Sequence, residues 1–330
     1  MKKVLNYLFE HKTLSQEEAR SILKEIGDGK FNEHELSAFI TVYLMRTITM
    51  PELLGFRQAL LDLCIPVDLE NREVMDIVGT GGDGKNTFNI STLACFIVAG
   101  AGQSIAKHGS YGASSISGAS NLMAHIGYTF KNDQDLLRKE IDQANMCFLH
   151  APIFHPALKV VAPIRKNLGV RTFFNMLGPL VNPAKPTYQV IGVCNQEIAR
   201  AYNYLLQANC GKYMIINALD GYDEISLTAD TKIVTQEGER ILSPQQLSFS
   251  KIDPKEIEGG SSIEESASIF LNILRGEGTN GQNAVVIANA AQALLLTGKY
   301  ESYQDAHAAA TESLASGKAN AILVKLLSIQ

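Results

Sequence analysis

The chain reads as an α/β protein, with a small all-helical domain and a larger α/β domain whose mainly parallel central sheet is flanked by helices. Three observations predict this. Residues 1–68 carry helix caps and helical periodicity and no strand-like run. Short β-branched or apolar runs then appear at 74–78, 104–106, 146–149, 188–193 and 213–217, and helical segments separate most of them. That alternation is the order of a parallel sheet with crossover helices. From Ser262 onward the pattern is helical again.

In order, Thr13 or Ser15 caps a helix that runs through Glu17, Ile22 and Leu23 and stops at Gly27. Asn32-x-x-Glu35 makes a capping box for the stretch through Phe39, Val42 and Tyr43. Thr49-x-x-Glu52, with Pro51 in the first turn, opens a third helix through Leu60. Ahead of these, Lys2 and Lys3 lead only a broken apolar run before Glu10 and His11, so neither a signal peptide nor a membrane span is expected. No internal repeat or low-complexity linker interrupts the chain.

Composition narrows the function. The 330 residues permit two domains, and a 46% hydrophobic content suffices for a sizeable core. A formal charge of −5 and the absence of any basic run longer than two residues argue against a nucleic-acid surface. Five scattered cysteines, Cys64, Cys95, Cys147, Cys194 and Cys210, form no CxxC pair. They read as reduced core residues of a cytoplasmic protein.

The most informative segment begins at Asp76. A β-branched run, Ile77-Val78, feeds Gly79-Thr80-Gly81-Gly82-Asp83-Gly84-Lys85, and Asn89-Ile90-Ser91-Thr92 then opens an apolar helix. Glycines let backbone N–H groups approach a ligand closely, and a helix N-terminus adds orphan donors and a positive dipole end. The combination suits an anion, most often phosphate. From Gly84 to Asn132 there is no Asp or Glu, although the chain carries 34 acids, and ten of its 26 glycines lie between Gly79 and Gly127. Lys107-His108-Gly109-Ser110-Tyr111-Gly112-Ala113-Ser114-Ser115 forms a second small-residue loop in the same stretch. Two such loops suggest a ligand with more than one phosphate. Gly79-x-Gly81-x-x-Gly84 also fits a dinucleotide fingerprint, but the acid that should follow about 20 residues on is missing. Gly79-x4-Gly84-Lys85 nearly fits a P-loop, but Asn86 stands where Ser or Thr should hold magnesium.

On these blocks the chain resembles anthranilate phosphoribosyltransferases. The resemblance continues through Phe154-His155-Pro156-Ala157, Val161-Ala162-Pro163-Ile164-Arg165, Arg171-Thr172-Phe173-Phe174-Asn175-Met176-Leu177-Gly178-Pro179-Leu180-Val181-Asn182-Pro183-Ala184 and Asp223-Glu224-Ile225-Ser226. It covers residues 5–325 in the expected order. It implies a helical domain of residues 1–68 that residues near 165–185 rejoin, and an α/β domain of 69–164 and 186–330. It also places the active site in the cleft between the two. The implied reaction transfers the 5-phosphoribosyl group of phosphoribosyl pyrophosphate (PRPP) to the amine of anthranilate, releasing pyrophosphate, in tryptophan biosynthesis.

The resemblance also implies roles. Gly79, Gly82, Asp83, Thr87, Asn89, Ile90, Ser91 and Thr92 would cradle the pyrophosphate side, while Lys107, Gly109, Ser114 and Ser115 would close over the phosphoribosyl part. Ser91, Asp223 and Glu224 would hold Mg2+, a hard cation that takes one or two carboxylates plus substrate phosphates. Adjacent acids on a strand point to opposite faces, so both reach one site only where the strand frays into a loop, and Gly221 favours that. Arg165 is the foremost candidate for the anthranilate carboxylate. It shares a helical stripe with Leu158, Val161, Ala162 and Leu168, and a guanidinium on an apolar face calls for an anionic partner. Gly79, His108 and Ser110 would complete the acceptor site, whereas His155 reads equally as a helix-entry residue. His150 and His155 have no further ligand nearby for zinc. No catalytic acid or base is assigned, because an arylamine is already neutral at pH 7. A homodimer through the N-terminal helices is expected, since three short helices cannot bury all their apolar stripes alone.

Ser110 stands where the family usually has Asn, Tyr111 where Arg is common, Ile116 where Lys is common, and Ala119-Ser120-Asn121 where Ser-Ala-Asp is usual. These departures bear on the acceptor and leave the phosphoribosyl blocks largely intact. Two alternatives stay open from the residues: a pyrimidine nucleoside phosphorylase-like enzyme, which would not need paired magnesium carboxylates, and a non-catalytic nucleic-acid-binding paralogue, which would need a basic groove.

Overall fold

A computed structural model describes residues 1–112, 116–209 and 211–329. Ser114, Ser115 and Cys210, singled out above, lie outside the described residues. From the N-terminus come helices α1 (Lys2–Phe9), α2 (Gln16–Gly27), α3 (Glu33–Met45) and α4 (Met50–Leu63). Strand β1 (Met75–Gly79), α5 (Ile90–Gly100), β2 (Ile105–Gly109), α6 (Ala119–His125), α7 (Gln134–Ala144) and β3 (Met146–His150) follow. Then come α8 (Ala151–Phe154), α9 (Ala157–Leu168) and α10 (Phe174–Leu177). Strand β4 (Tyr188–Gly192), α11 (Gln196–Asn209), β5 (Lys212–Ala218), β6 (Thr231–Thr235) and β7 (Gly238–Leu242) precede α12 (Ile263–Leu274), α13 (Asn280–Leu296), α14 (Tyr303–Ala315) and α15 (Lys318–Ser328). The chain divides into two compact units, Met1–Val67 with Ala151–Lys185, and Asp68–His150 with Pro186–Gln330.

The first unit is all-helical. Its returning segment begins at Ala151, whereas the resemblance implied about 165–185. Backbone bonds tie the two pieces together: Ile65 N–H donates to Phe154 O at 2.8 Å and Val67 N–H to Pro183 O at 3.3 Å. Phe173 from the returning piece stacks on Phe56 with centroids 4.8 Å apart and packs edge-on to Phe39 at 6.3 Å. Ser15, not Thr13, caps α2, because Glu18 three residues on closes the capping box with it. Helix α1 has no sequence cap and was not expected.

Glu52 organises this unit. Its side chain has no solvent exposure, yet its two oxygens collect six donors around the start of α4. Leu14 N–H (3.0 Å), Tyr43 O–H (3.2 Å), Arg46 Nη1 and Nη2 (2.9 and 2.5 Å), Thr49 N–H (3.0 Å) and Thr49 Oγ1 (2.8 Å) all donate to it. The capping box foreseen in the sequence has therefore become a junction of α3, α4 and the turn before α2. Burial alone would push the Glu52 carboxyl up, but the bonds from Arg46, Thr49 and Leu14 outweigh it and hold the carboxyl below its ordinary value.

The second unit is built on a sheet ordered β3-β2-β1-β4-β5-β6-β7. The first five strands in that order run parallel, with registers such as Met75↔Tyr188, Ala106↔Cys147 and Val190↔Met214. β5, β6 and β7 pair antiparallel. The β6–β7 hairpin was not expected from sequence. Its β7 carries Glu239 and Arg240 and is largely exposed, as edge strands that resist further pairing commonly are. Helix α5 is apolar all round and buried along nearly its whole length, with α13, α14 and α15 packed about it. Such a helix sits at the centre of a core and not on its surface. No helix of the described residues is long and apolar enough to cross a membrane.

Glu52→Ala is expected to lower stability by about 3–5 kcal/mol, because it leaves the Arg46 charge without its buried partner. A carboxyl held down in the folded state adds stability above its unfolded value, near 4.3, and that stability is lost as pH falls through the folded value. Denaturant melts of Glu52→Gln should therefore show a weaker dependence on acid than those of the unaltered protein.

Candidate active site

Strand order reverses between β1 and β4, since β1 leads on to β2 and β3 on one side and β4 to β5 on the other. In open α/β sheets, ligands bind outside the carboxyl ends of the strands at such a point. Gly79 and Gly192 end the two strands as register partners, and Thr80 N–H donates to Gly192 O at 2.9 Å. Both glycines are required by what lies on them. A Cβ on Gly79 would run into the Asp223 carboxylate, and one on Gly192 into the Asp223 carbonyl oxygen. The turn that carries Asp223 and Glu224 leaves the end of β5 through Gly221, whose φ of +94° disfavours any side chain. The fraying foreseen from Gly221 thus delivers both acids to the carboxyl edge of the sheet.

Both carboxylates are 8% exposed, and each takes donors from the segment after β1. Gly81 N–H donates to Asp223 Oδ2 at 2.7 Å. Ser91 N–H and Ser91 Oγ each donate to Glu224 Oε1 at 2.8 Å, and Thr87 Oγ1 lies 3.5 Å from Glu224 Oε2. The sequence assigned the N-terminus of α5 to a phosphate. In the structure, the anion there is the chain's own glutamate. Burial, and after it the charge of Asp223, pushes the Glu224 carboxyl up to about 8 despite the two Ser91 bonds, and Asp83 adds to the rise. Asp83 is itself raised, chiefly by burial.

The remaining candidates divide. Gly82 takes φ +71° in the loop, and Asp83 Oδ1 accepts from Lys85 N–H at 3.1 Å. Asn89 Nδ2 donates to Ser117 O at 3.0 Å, tying the first loop to the second. Ile90 and Thr92 turn buried side chains into the core, and Ile90 N–H already donates to Phe88 O at 2.6 Å. Lys107 and His108 lie buried on β2. The Lys107 ammonium donates to Ile77 O at 2.5 Å, in the middle of β1 and not over the second loop, because a buried amine needs an acceptor. His108 N–H donates to Asp76 Oδ1 at 3.2 Å. A Cβ on Gly109 would press against the Phe148 ring. Ser110 is exposed, and its carbonyl accepts from Ser120 N–H at 3.1 Å. Tyr111 meets His150 edge-on at 4.8 Å.

Sequence reasoning missed Gly192 and Asn121. Asn121 Oδ1 accepts from Gly112 N–H at 2.9 Å and Gly118 N–H at 3.1 Å, and so pins both ends of the second loop. The signal was available in its spacing, three residues after Gly118, where a cap belongs. Gly192 carried none, since its need for a bare Cα arises from a turn far along the chain.

In the helical unit, Arg165 belongs to α9. The buried face of that helix is Ala157, Val161 and Ile164. Ala162, placed on the buried stripe from sequence, is exposed, and Arg165 is partly buried beside that face. Its Nη2 donates to Asn175 Oδ1 at 3.3 Å and its guanidinium lies 5.5 Å from the centre of the Phe174 ring. Burial lowers its pKa. Among the described residues no carboxylate forms an ion pair with it. His155 is buried, with Nε2 2.9 Å from Val181 O, and burial brings its pKa down to about 4.

This architecture has known relatives. The α/β domain of a glycosyl transferase family matches residues 71–320, and that family's helical bundle domain matches residues 2–64. The anthranilate phosphoribosyltransferase of Flavobacterium johnsoniae is 54% identical over 326 residues, 99% of this chain and 98% of its own length. That of Bacteroides thetaiotaomicron is 51% identical over 329 residues, covering 100% and 99%. The crystal structure of anthranilate phosphoribosyltransferase from Thermus thermophilus superposes with a TM-score of 0.91 at 30% identity over 98% of each chain. The Saccharomyces cerevisiae enzyme in complex with PRPP and Mg gives 0.88 at 28% identity, covering 96% of this chain and 93% of that one. The fold and the loop at its switch point define a glycosyl transferase of the two-domain type. Within that class the chain belongs to the anthranilate phosphoribosyltransferase family.

A carboxyl raised on folding binds its proton more tightly in the folded state, so stability is lost as pH climbs from the unfolded value near 4.3 towards 8. In EDTA, Glu224→Gln keeps an oxygen for Ser91 and should melt higher than the unaltered protein at pH 8. The difference should vanish near pH 4 in thermal melts.

Proposed function

We propose that this protein transfers the phosphoribosyl group of PRPP to the amine of anthranilate, releasing pyrophosphate, in tryptophan biosynthesis. The observation that carries the reading is the seating of Asp223 and Glu224 at the β1/β4 switch point, against the glycine loop and the start of α5. The chemistry needs charge stabilised on a departing pyrophosphate, and backbone donors fixed in advance do this without reorganisation. Gly81 N–H and Ser91 N–H are such donors, already aimed at anionic oxygen. On donor binding they pass from the carboxylates to phosphate oxygens. Asn89 and Asn121 hold the second loop in place beside them.

The residues fit magnesium. Asp223, Glu224, Ser91 and Thr87 offer oxygen alone, as a hard cation prefers, and a Glu224 carboxyl raised to about 8 marks a site short of positive charge. Among the described residues no three His, Cys, Asp or Glu side chains gather as a metal cage, so substrate phosphates would complete the shell. Bound there, the ion would neutralise charge on the leaving pyrophosphate. In this reading Arg165 takes the anthranilate carboxylate, because its burial without an acidic partner leaves a cation in want of an anion. No residue need act as base, since the arylamine lone pair is available at neutral pH, and positioning carries much of the rate.

Anthranilate fluorescence should fall when the protein is mixed with PRPP and Mg2+, and excess EDTA should stop the change. Asp223→Asn with Glu224→Gln should nearly abolish turnover in a folded protein; full activity of that variant would remove the metal assignment. Arg165→Ala should raise the anthranilate KM about 10- to 100-fold, the worth of a charge-assisted bond of roughly 1.5–3 kcal/mol, and leave the PRPP KM nearly unchanged. A rise in the PRPP KM alone would move Arg165 to the phosphate site.

The protein is further proposed to be a cytoplasmic homodimer. Cys64, Cys95 and Cys147 are thiols, which supports a reducing compartment. Tyr7, Phe9, Leu44 and Met45 stand exposed on α1 and α3, and Met45 is 82% exposed. Light scattering at micromolar concentration should give twice the chain mass, and Met45→Glu with Phe9→Glu should give the monomer.

A further inference from the structure

We infer that Asn289, on α13, is the positioning residue for the Asp223–Glu224 carboxylate pair. Asn289 interrupts the apolar run of α13 and is 4% exposed. A buried amide must find partners, and this one finds them on a single residue of the acidic turn. Its Oδ1 accepts from Ile225 N–H at 3.1 Å, and its Nδ2 donates to Ile225 O at 2.9 Å. A second Nδ2 bond to Val285 O at 2.9 Å fixes the amide to its own helix. Ile225 follows Glu224 directly, so the backbone N–H and C=O of the residue next to the acids, one from each flanking peptide, are held by one side chain 64 residues away.

The acidic pair is thereby fixed on both sides. Gly192 lies under the Asp223 carbonyl, and Asn289 grips the backbone just past Glu224. Beyond Ile225 the chain turns away through Leu227, whose φ of +58° is unusual for a branched side chain, so no regular element continues the restraint. Without Asn289 the buried N–H and C=O of Ile225 lose their partners, and Glu224 shifts against Ser91. The effect falls on the metal–donor side of the reaction and leaves the acceptor untouched. Groups that hold ligating carboxylates from behind commonly set metal affinity in this way.

This inference rests on the magnesium reading above, and the experiment separates the two. Mn2+ binding to the full-length protein with PRPP present is followed by electron paramagnetic resonance for the unaltered protein, Asn289→Ala, Asn289→Asp and the Asp223→Asn/Glu224→Gln control. Asn289→Asp preserves shape and the Ile225 N–H acceptor, and serves where the alanine variant does not fold. Asn289→Ala should weaken Mn2+ binding by about 10- to 100-fold and raise the KM for metal–PRPP, with the anthranilate KM within a factor of about two and circular dichroism unchanged. Asn289→Asp should fall between. Undiminished Mn2+ affinity in a folded Asn289 variant, an equal rise in both KM values, or failure of both variants to fold overturns the inference. Full Mn2+ binding by the Asp223→Asn/Glu224→Gln control overturns the metal reading first, and the role of Asn289 with it.

Discussion

Two carboxylates seated on backbone N–H groups that suit an anion constrain everything around them. Asp223 and Glu224 occupy N–H groups of the glycine loop and of α5, and both are nearly excluded from water. Like charges so close and so poorly solvated resist ionising together, which is why the Glu224 carboxyl is pushed up to about 8. The folded chain therefore stores a local electrostatic conflict at the β1/β4 edge.

The rest of the α/β unit serves to hold that conflict in place. Parallel strands bring the ends of β1 and β4 side by side, and bare glycines at both ends admit the acidic turn. An apolar α5, enclosed by α13, α14 and α15, fixes the position of Ser91 at its start. Rigid packing of this kind lets a site hold an arrangement that would relax in a loop. The helical unit meets a similar demand with the opposite solution. Glu52 is buried more completely than Glu224, but six donors and the Arg46 charge satisfy it, so its carboxyl is held down. One buried glutamate is satisfied by its donors, while the other is left short of positive charge.

Much of this was legible in the order of residues. The capping boxes at Asn32 and Thr49, the five parallel strands and the switch to helix at Ser262 follow from local chemistry, and the glycine loop before an Asn-x-Ser-Thr helix start marked a segment that suits an anion. What stayed hidden was non-local. The β6–β7 hairpin lacks apolar alternation because its outer strand is an edge. Lys107 read as a loop cation, but its side chain satisfies the Ile77 carbonyl inside the sheet. Ala162 sat on a plausible stripe, yet the true buried face of α9 is turned to Ala157, Val161 and Ile164.

By itself the sequence determined that the segment after β1 suits an anion, since glycine density and a helix start act through the backbone within one short segment. It also determined the alternation of strand and helix, whose periodicities are local. Tertiary structure alone decided which anion occupies that segment in the free protein, why residue 192 must be glycine, and why an asparagine interrupts the apolar face of α13. Each of these depends on a turn far along the chain being carried to the carboxyl ends of β1 and β4. The assembled sheet, with β1, β4 and β5 side by side, brings these distant residues within hydrogen-bonding distance.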